Sequence, residues 1–171
     1  MTRSLLSDAF EHHVWATLRL IDACAALTAE QLDTTVPGTF GSIIDTMRHL
    51  VGADSSYLTV LSRADSPPID ETTLDLDGLR AVMEEHAAAW ARVLAVGNLD
   101  PDEIVVRRRD DGSESRAPLG IRLAQVVHHG TDHRSQICTA LTTLGIEPPE
   151  IDVWDYAWDG DRLEEIPPPE D

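Results

Sequence analysis

Lysine is absent from this chain, and positive charge is scarce altogether. All 13 basic residues are arginine, set against 31 aspartates and glutamates, for a formal charge of −18 over 171 residues with histidine neutral. So acidic a surface repels phosphate backbones and anionic lipid headgroups unless a concentrated basic patch compensates. The one tight basic run, Arg107 to Arg109, is followed at once by Asp110 and Asp111 and is locally neutralised. Neither nucleic acid nor a membrane surface is expected as a partner. The arginine-only basic complement points to a coding sequence rich in G and C, or to a salt-adapted proteome, and concerns origin more than function.

Cysteine is nearly missing too. Cys24 and Cys138 lie in opposite halves, without a CxxC or a dense framework that would imply an oxidising compartment, and both read as small buried hydrophobes. No apolar run reaches the ~18 residues that span a bilayer. The stretch from Met1 to Asp8 lacks a basic region followed by an apolar one, so a cytoplasmic protein is expected. No internal repeat is found. What is present is a hydrophobic fraction of 42% beside a charged fraction of 26%, enough for one folded domain with a tail.

Apolar residues recur at helical spacing from Leu5 to Leu27, with Leu6, Phe10, Val14, Leu18, Ile21 and Ala25 on one stripe and Ser4 placed to cap it. A second helix is expected from Thr39 or Ser42 to about Leu61, closed off by Pro67 and Pro68. The third opens at Asp75 or Asp77, whose carboxylates suit the free amides of a first turn, and ends at Gly97 and Asn98. Between it and the last long helix, Ile104 to Arg116 reads as a β-hairpin turning at Asp111-Gly112. The fourth helix runs from about Pro118 to Leu144, with Gly145 just past its end. A short helix over Ile151 to Trp158 would lay Trp154 and Trp158 across one end of the molecule.

Four long amphipathic segments can bury their stripes only against one another, which predicts an all-α, up-down four-helix bundle with a small β-hairpin before the last long helix. The domain is expected over residues 1–158, with 159–171 as an acidic, proline-rich tail. Ala9, Ala16, Leu20, Ala23 and Leu27 widen the first helix's stripe and suggest surplus surface for a homodimer.

The seven histidines carry the chemistry. His129 and His133 are four apart on the fourth helix, which puts both imidazoles on one face about 6 Å apart at Cβ. That face is the buried stripe, so each ring needs a hydrogen-bond acceptor, a carboxylate or a metal. A third nitrogen could come from His49 on the inner side of the second helix, beside Met47 and Leu50. Three neutral imidazoles make a borderline-soft divalent site with an open position, suited to zinc and also to nickel or ferrous iron. The same spacing equally fits satisfied core histidines. His13, on the inner side of the first helix, is a candidate outer partner or proton carrier, while His12, His86 and His128 receive no role.

Three strings go further: Thr39-Phe40-Gly41-Ser42, Arg48-His49-Leu50-Val51-Gly52-Ala53-Asp54, and His129-Gly130-Thr131-Asp132-His133-Arg134-Ser135-Gln136-Ile137. With the Trp15-Ala16 pair and the hairpin in the same order, the chain resembles, over nearly its whole length, the DinB-like (DinB/YfiT) four-helix metalloproteins. These include YfiT-type hydrolases and the mycothiol and bacillithiol S-transferases. The resemblance implies that His49, His129 and His133 are metal ligands. Ser135 stands where family members often have glycine. Gln136, one turn past His133, and Tyr57, two turns past His49, are candidates for contacting a ligand or substrate. Arg134 is rotated off the metal face and reads as an ion-pair partner for an acidic residue of another helix, with binding of a substrate carboxylate as the alternative.

The activity the resemblance implies is transfer of a low-molecular-weight thiol, of mycothiol or bacillithiol type, to an electrophilic small molecule through a thiolate on the metal. An arginine-only complement hints at a mycothiol-using type of cell. The same site acting on water would give a hydrolase, or with a thiol an isomerase. A non-catalytic stress protein that binds a metal or small ligand is the alternative of a different class.

Overall fold

A computed structural model describes residues 6–62, 69–95 and 99–168. Four long helices carry the expected stripes: α1 (Ser7–Cys24), α3 (Ile43–Ser62), α4 (Leu76–Leu94) and α5 (Leu119–Thr143). The short α2 (Ala29–Leu32), absent from the periodicity, exists because Thr28 and Gln31 form a reciprocal capping box at 3.2 and 2.8 Å. Asp75 caps α4 as expected by accepting from the Gly78 amide, and Gly145 follows α5 at φ +74°, where only glycine is unstrained. The Ser4 cap, the Pro67-Pro68 stop and the Gly97-Asn98 end lie outside the described residues.

Strands β1 (Ile104–Arg108) and β2 (Glu114–Pro118) pair antiparallel with Val106 opposite Arg116. The turn is one residue longer than a two-residue Asp-Gly loop. Gly112 takes φ +82° and returns its N–H to the Arg109 carbonyl, leaving Asp110 to Gly112 as the loop.

Each long helix packs on two others, in the ring α1–α4–α3–α5. Phe10 stacks near Trp90 with centroids 4.7 Å apart, and Asp22 pairs with Arg80, so α1 and α4 are antiparallel. Helices α3 and α4 run in the same direction. Residues 69–75, which precede α4, lie beside the start of α3, where Arg48 Nε donates to the Leu74 carbonyl and His49 Nδ1 to Glu71. Phe10, Leu20, Met47, Leu79, Met83 and Trp90 are all at most 1% exposed at the centre, each worth roughly 1.5–3 kcal/mol of burial.

Helix α6 (Val153–Asp159) does not lay its tryptophans on the bundle end. Trp154 and Trp158 are 69% and 58% exposed, whereas Tyr156 packs on Trp15 and donates to Glu11. Trp154 and Trp158 do stand four apart on α6, but the helix meets α1 through Tyr156. Ala16 and Leu20 are wholly buried within the chain, leaving Ala9, Ala23 and Leu27 as the half-buried remainder of the wide stripe. In the expected tail, Arg162 reaches the Asp8 carboxylate.

Candidate metal centre

His49 stands on the second turn of α3, while His129 and His133 stand one turn apart on α5. Antiparallel packing of these helices brings all three together. Ring centroids are 5.2 Å apart for His49 and His129, 4.9 Å for His49 and His133, and 4.4 Å for His129 and His133. One nitrogen from each ring falls within 4.8 Å of the others, and the Nε2 atoms of His49 and His129 are 3.3 Å apart. Two nitrogens about 2.0–2.1 Å from one tetrahedral zinc would be roughly 3.3 Å apart, so this edge already has the size of an ion's coordination sphere.

Outer partners fix which nitrogen faces inward. His49 Nδ1 lies 3.3 Å from Glu71 Oε2 and His133 Nδ1 lies 3.2 Å from Gln136 Oε1. Both acceptors place the proton on Nδ1 and leave the Nε2 lone pair for the centre. Gln136 Oε1 also accepts from the Phe40 amide at 2.8 Å, which holds the Phe40 ring stacked on His49 at 4.0 Å and 9°. Phe40 thus screens one side of the site, although it is itself 57% exposed.

Glu71 comes from the segment that precedes α4, and it reaches His49 across Gly52. A Cβ at position 52 would lie 2.2 Å from Glu71 Cγ. Gly52→Ala should therefore expel the Glu71 side chain and lower metal affinity about 10–100-fold, the usual cost of losing an outer partner. Thermal stability should hold, because alanine favours the helix and Glu71 can swing into solvent. Chelator competition and a melting curve check both; unchanged affinity would remove Glu71 from the site.

Electrostatics favour neutral rings. Desolvation, then the neighbouring His133 and His49, push the His129 imidazole down to about 4. Desolvation also lowers His133, opposed by its bond to Gln136. Near neutral pH these two rings are uncharged, which leaves each a lone pair able to bind a cation.

The sequence profile of the DinB family matches residues 1–166. The chain belongs to the DinB family. No curated protein matches it. In this DinB-family chain the three histidines form a cluster able to hold a metal ion, and no helix among the described residues is long and apolar enough to cross a membrane.

Other candidate residues fall at varying depths around the DinB site. Tyr57 flanks His129 with centroids 5.9 Å apart. Ser135 is exposed, so the hydroxyl in place of glycine disturbs no packing, and His128 is exposed as well. His12 Nε2 donates to the Ile151 carbonyl at 2.8 Å. His13 has no hydrogen bond to the three ligands; it lies behind them, closed against Gly130, where a Cβ would come within 2.5 Å of its ring.

There His13 belongs to a buried polar network that the sequence did not reveal. Asp54, 2% exposed, accepts from His13 Nε2 at 3.2 Å and from Trp90 Nε1 at 3.0 Å. Arg134 Nη1 donates to His13 Nδ1 at 3.1 Å, and also to the His13 carbonyl and Thr17 Oγ1. Since guanidinium can only donate, His13 Nδ1 is an acceptor and its proton is on Nε2. The expected Arg134 ion pair is thus relayed: a neutral imidazole stands between Arg134 and Asp54.

Proposed function

We propose that the chain is a divalent-metal-dependent enzyme that transfers a low-molecular-weight thiol, of mycothiol or bacillithiol type, to an electrophilic small molecule. The observation that carries this reading is the trio of inward-facing imidazoles, His49, His129 and His133, oriented from outside by Glu71 and Gln136. The donor set has three nitrogens and no thiolate, which suits zinc or nickel and also ferrous iron, with a position left open. The chemistry a bound ion supplies is charge, which lowers the pKa of a sulfhydryl or of water at that open position.

The protein's own groups do the positioning. Glu71 and Gln136 hold the ring orientations, Phe40 screens water from one side, and the Tyr57 ring borders the other. Its cysteines do not supply the nucleophile. Burial pushes the Cys24 thiol up to about 12 and raises Cys138 as well, so neither forms a thiolate near neutral pH. An external thiol is the natural source, and the reading assigns the chain to the cytoplasm, where such thiols stay reduced.

The test starts with metal content after purification without a histidine tag. Mycothiol and bacillithiol are then titrated calorimetrically into metal-loaded protein in buffers of different ionisation enthalpy. Saturable binding with release of close to one proton, dependent on metal, supports the transferase. Metal-dependent ester or amide turnover without thiol binding would instead make the site a hydrolase. Metal binding with neither would make the protein a non-catalytic binder.

A further inference from the structure

A second cavity lies away from the three histidines, walled by α3, α4, β1 and the start of α5. Its volume is about 870 Å³, within the range that holds small-molecule ligands. Leu58, Val82, Ala89, Val93, Val105 and Leu119 give it apolar walls. Leu58 is nine residues beyond His49 on α3, about 13 Å along the helix at 1.5 Å per residue, so this space is separate from the metal centre.

Two buried polar residues line it, Ser55 and His86, while Thr59, Ser62, Glu85, Arg92 and Glu103 complete the lining nearer solvent. His86 is 7% exposed and lines the cavity. Its Nδ1 is the buried nitrogen, 2.8 Å from Asp54 Oδ2 but out of line for a hydrogen bond. With a carboxylate oxygen so close, a proton on Nδ1 is favoured over a lone pair, which leaves Nε2 as the acceptor. Nε2 has no partner among the described residues and is not fully buried, which makes it the nitrogen turned to the cavity. The same holds for the hydroxyl of Ser55, next to Asp54 on α3 and 8% exposed: it lines the cavity, is not fully buried and has no hydrogen-bond partner among the described residues.

Asp54 explains why the anchor is rigid. Its carboxylate is held on the other side by His13 and Trp90, so His86 meets a fixed charge and cannot exchange its two nitrogens freely. Arg134, relayed through His13, balances the charge without any need for His86 to be cationic.

We propose that this cavity is a second ligand site, for an apolar small molecule bearing one hydroxyl, which donates to His86 Nε2 and accepts from Ser55 Oγ. An apolar body matches the walls, and a hydroxyl is the group that serves an acceptor and a hydroxyl donor at once. At the buried end a carboxylate would set its charge against the His86 lone pair and the ionised Asp54, while Arg92 lies at the exposed rim together with Glu85 and Glu103.

The probe is 2-naphthol, titrated into the full chain with and without zinc and followed by its fluorescence and by amide and methyl NMR shifts. Saturable one-to-one binding is expected, with shifts at Ser55, His86, Val93 and Leu119 whether or not zinc is present. 2-Methylnaphthalene, which lacks the hydroxyl, and Ser55→Ala should each bind roughly tenfold more weakly, the loss of one buried hydrogen bond. His86→Phe should weaken binding at least as much. Ala89→Trp fills the space from its wall without touching the polar network and should abolish binding with metal stoichiometry unchanged. Absence of saturable binding, equal affinity for 2-methylnaphthalene, full binding to Ala89→Trp, or shifts centred on His49, His129 and His133 would each overturn the proposal.

Discussion

His133→Ala should lose metal retention while its far-ultraviolet helical signal stays. The ring supplies one of only three nitrogens, and no other His, Cys, Asp or Glu among the described residues joins the cluster to replace it. Removing a ligand should cost more than the ~10–100-fold lost with an outer partner, which takes the affinity below what purification preserves. Helix α5 survives because its packing rests on Leu123, Val126, Ile137, Ala140 and Leu141, all at most 5% exposed, and on its Gly145 terminus. Elemental analysis of protein purified without a tag, beside circular dichroism, reads both quantities. Unchanged stoichiometry would refute the ligand assignment, and an unfolded variant would be replaced by His129→Ala, whose ring is less buried.

Asp54→Asn should be the most destabilising single change away from the metal, by about 3–5 kcal/mol, the range for breaking a buried charge pair on one side. The variant leaves Arg134, 3% exposed, without its counter-charge and sets an amide against the N–H groups of His13 and Trp90. Burial lowers the Arg134 guanidinium to about 10 even with Asp54 pulling it back up, so it stays charged near neutrality. Urea unfolding measures the loss. Adding Arg134→Met should cost much less in the Asp54→Asn background than alone, because one network carries both residues. Additive effects would show that the two charges do not interact.

The same network has a pH signature. Burial pushes the Asp54 carboxyl upward, but the bond from His13 and the contact with His86 outweigh it, and the group titrates well below the usual carboxylate range. A depressed folded-state value contributes stability that is fully present above the unfolded value of about 3.9 and is lost as pH falls below it. Wild type should therefore lose stability from about pH 4 downward more steeply than Asp54→Asn, as acid titration of the urea midpoint would show.

Much of the molecule is legible in the residues themselves. Helical spacing, the Asp75 cap and the Gly145 terminus locate the long helices within a few residues, since each depends on neighbours three or four apart. His129 and His133 are placed on one face by the same local rule. The short α2 is not legible because four residues carry no periodicity, and the orientation of α6 is not legible because Trp154 and Trp158 look more apolar than Tyr156, which packs on Trp15 and donates to Glu11.

Local order, then, settled which segments are helical and which histidines share a face, because helix hydrogen bonds and side-chain spacing act over one or two turns. Only the packed fold decided that Glu71 reaches His49 across Gly52, that Phe40 covers the rings, and that Asp54 gathers His13, His86 and Trp90. His13 meets Asp54 across 41 residues and Arg134 across 121, and such pairings are fixed by how parallel and antiparallel helices close on one core. No window of sequence contains that information, since it resides in the direction each helix takes past its neighbours.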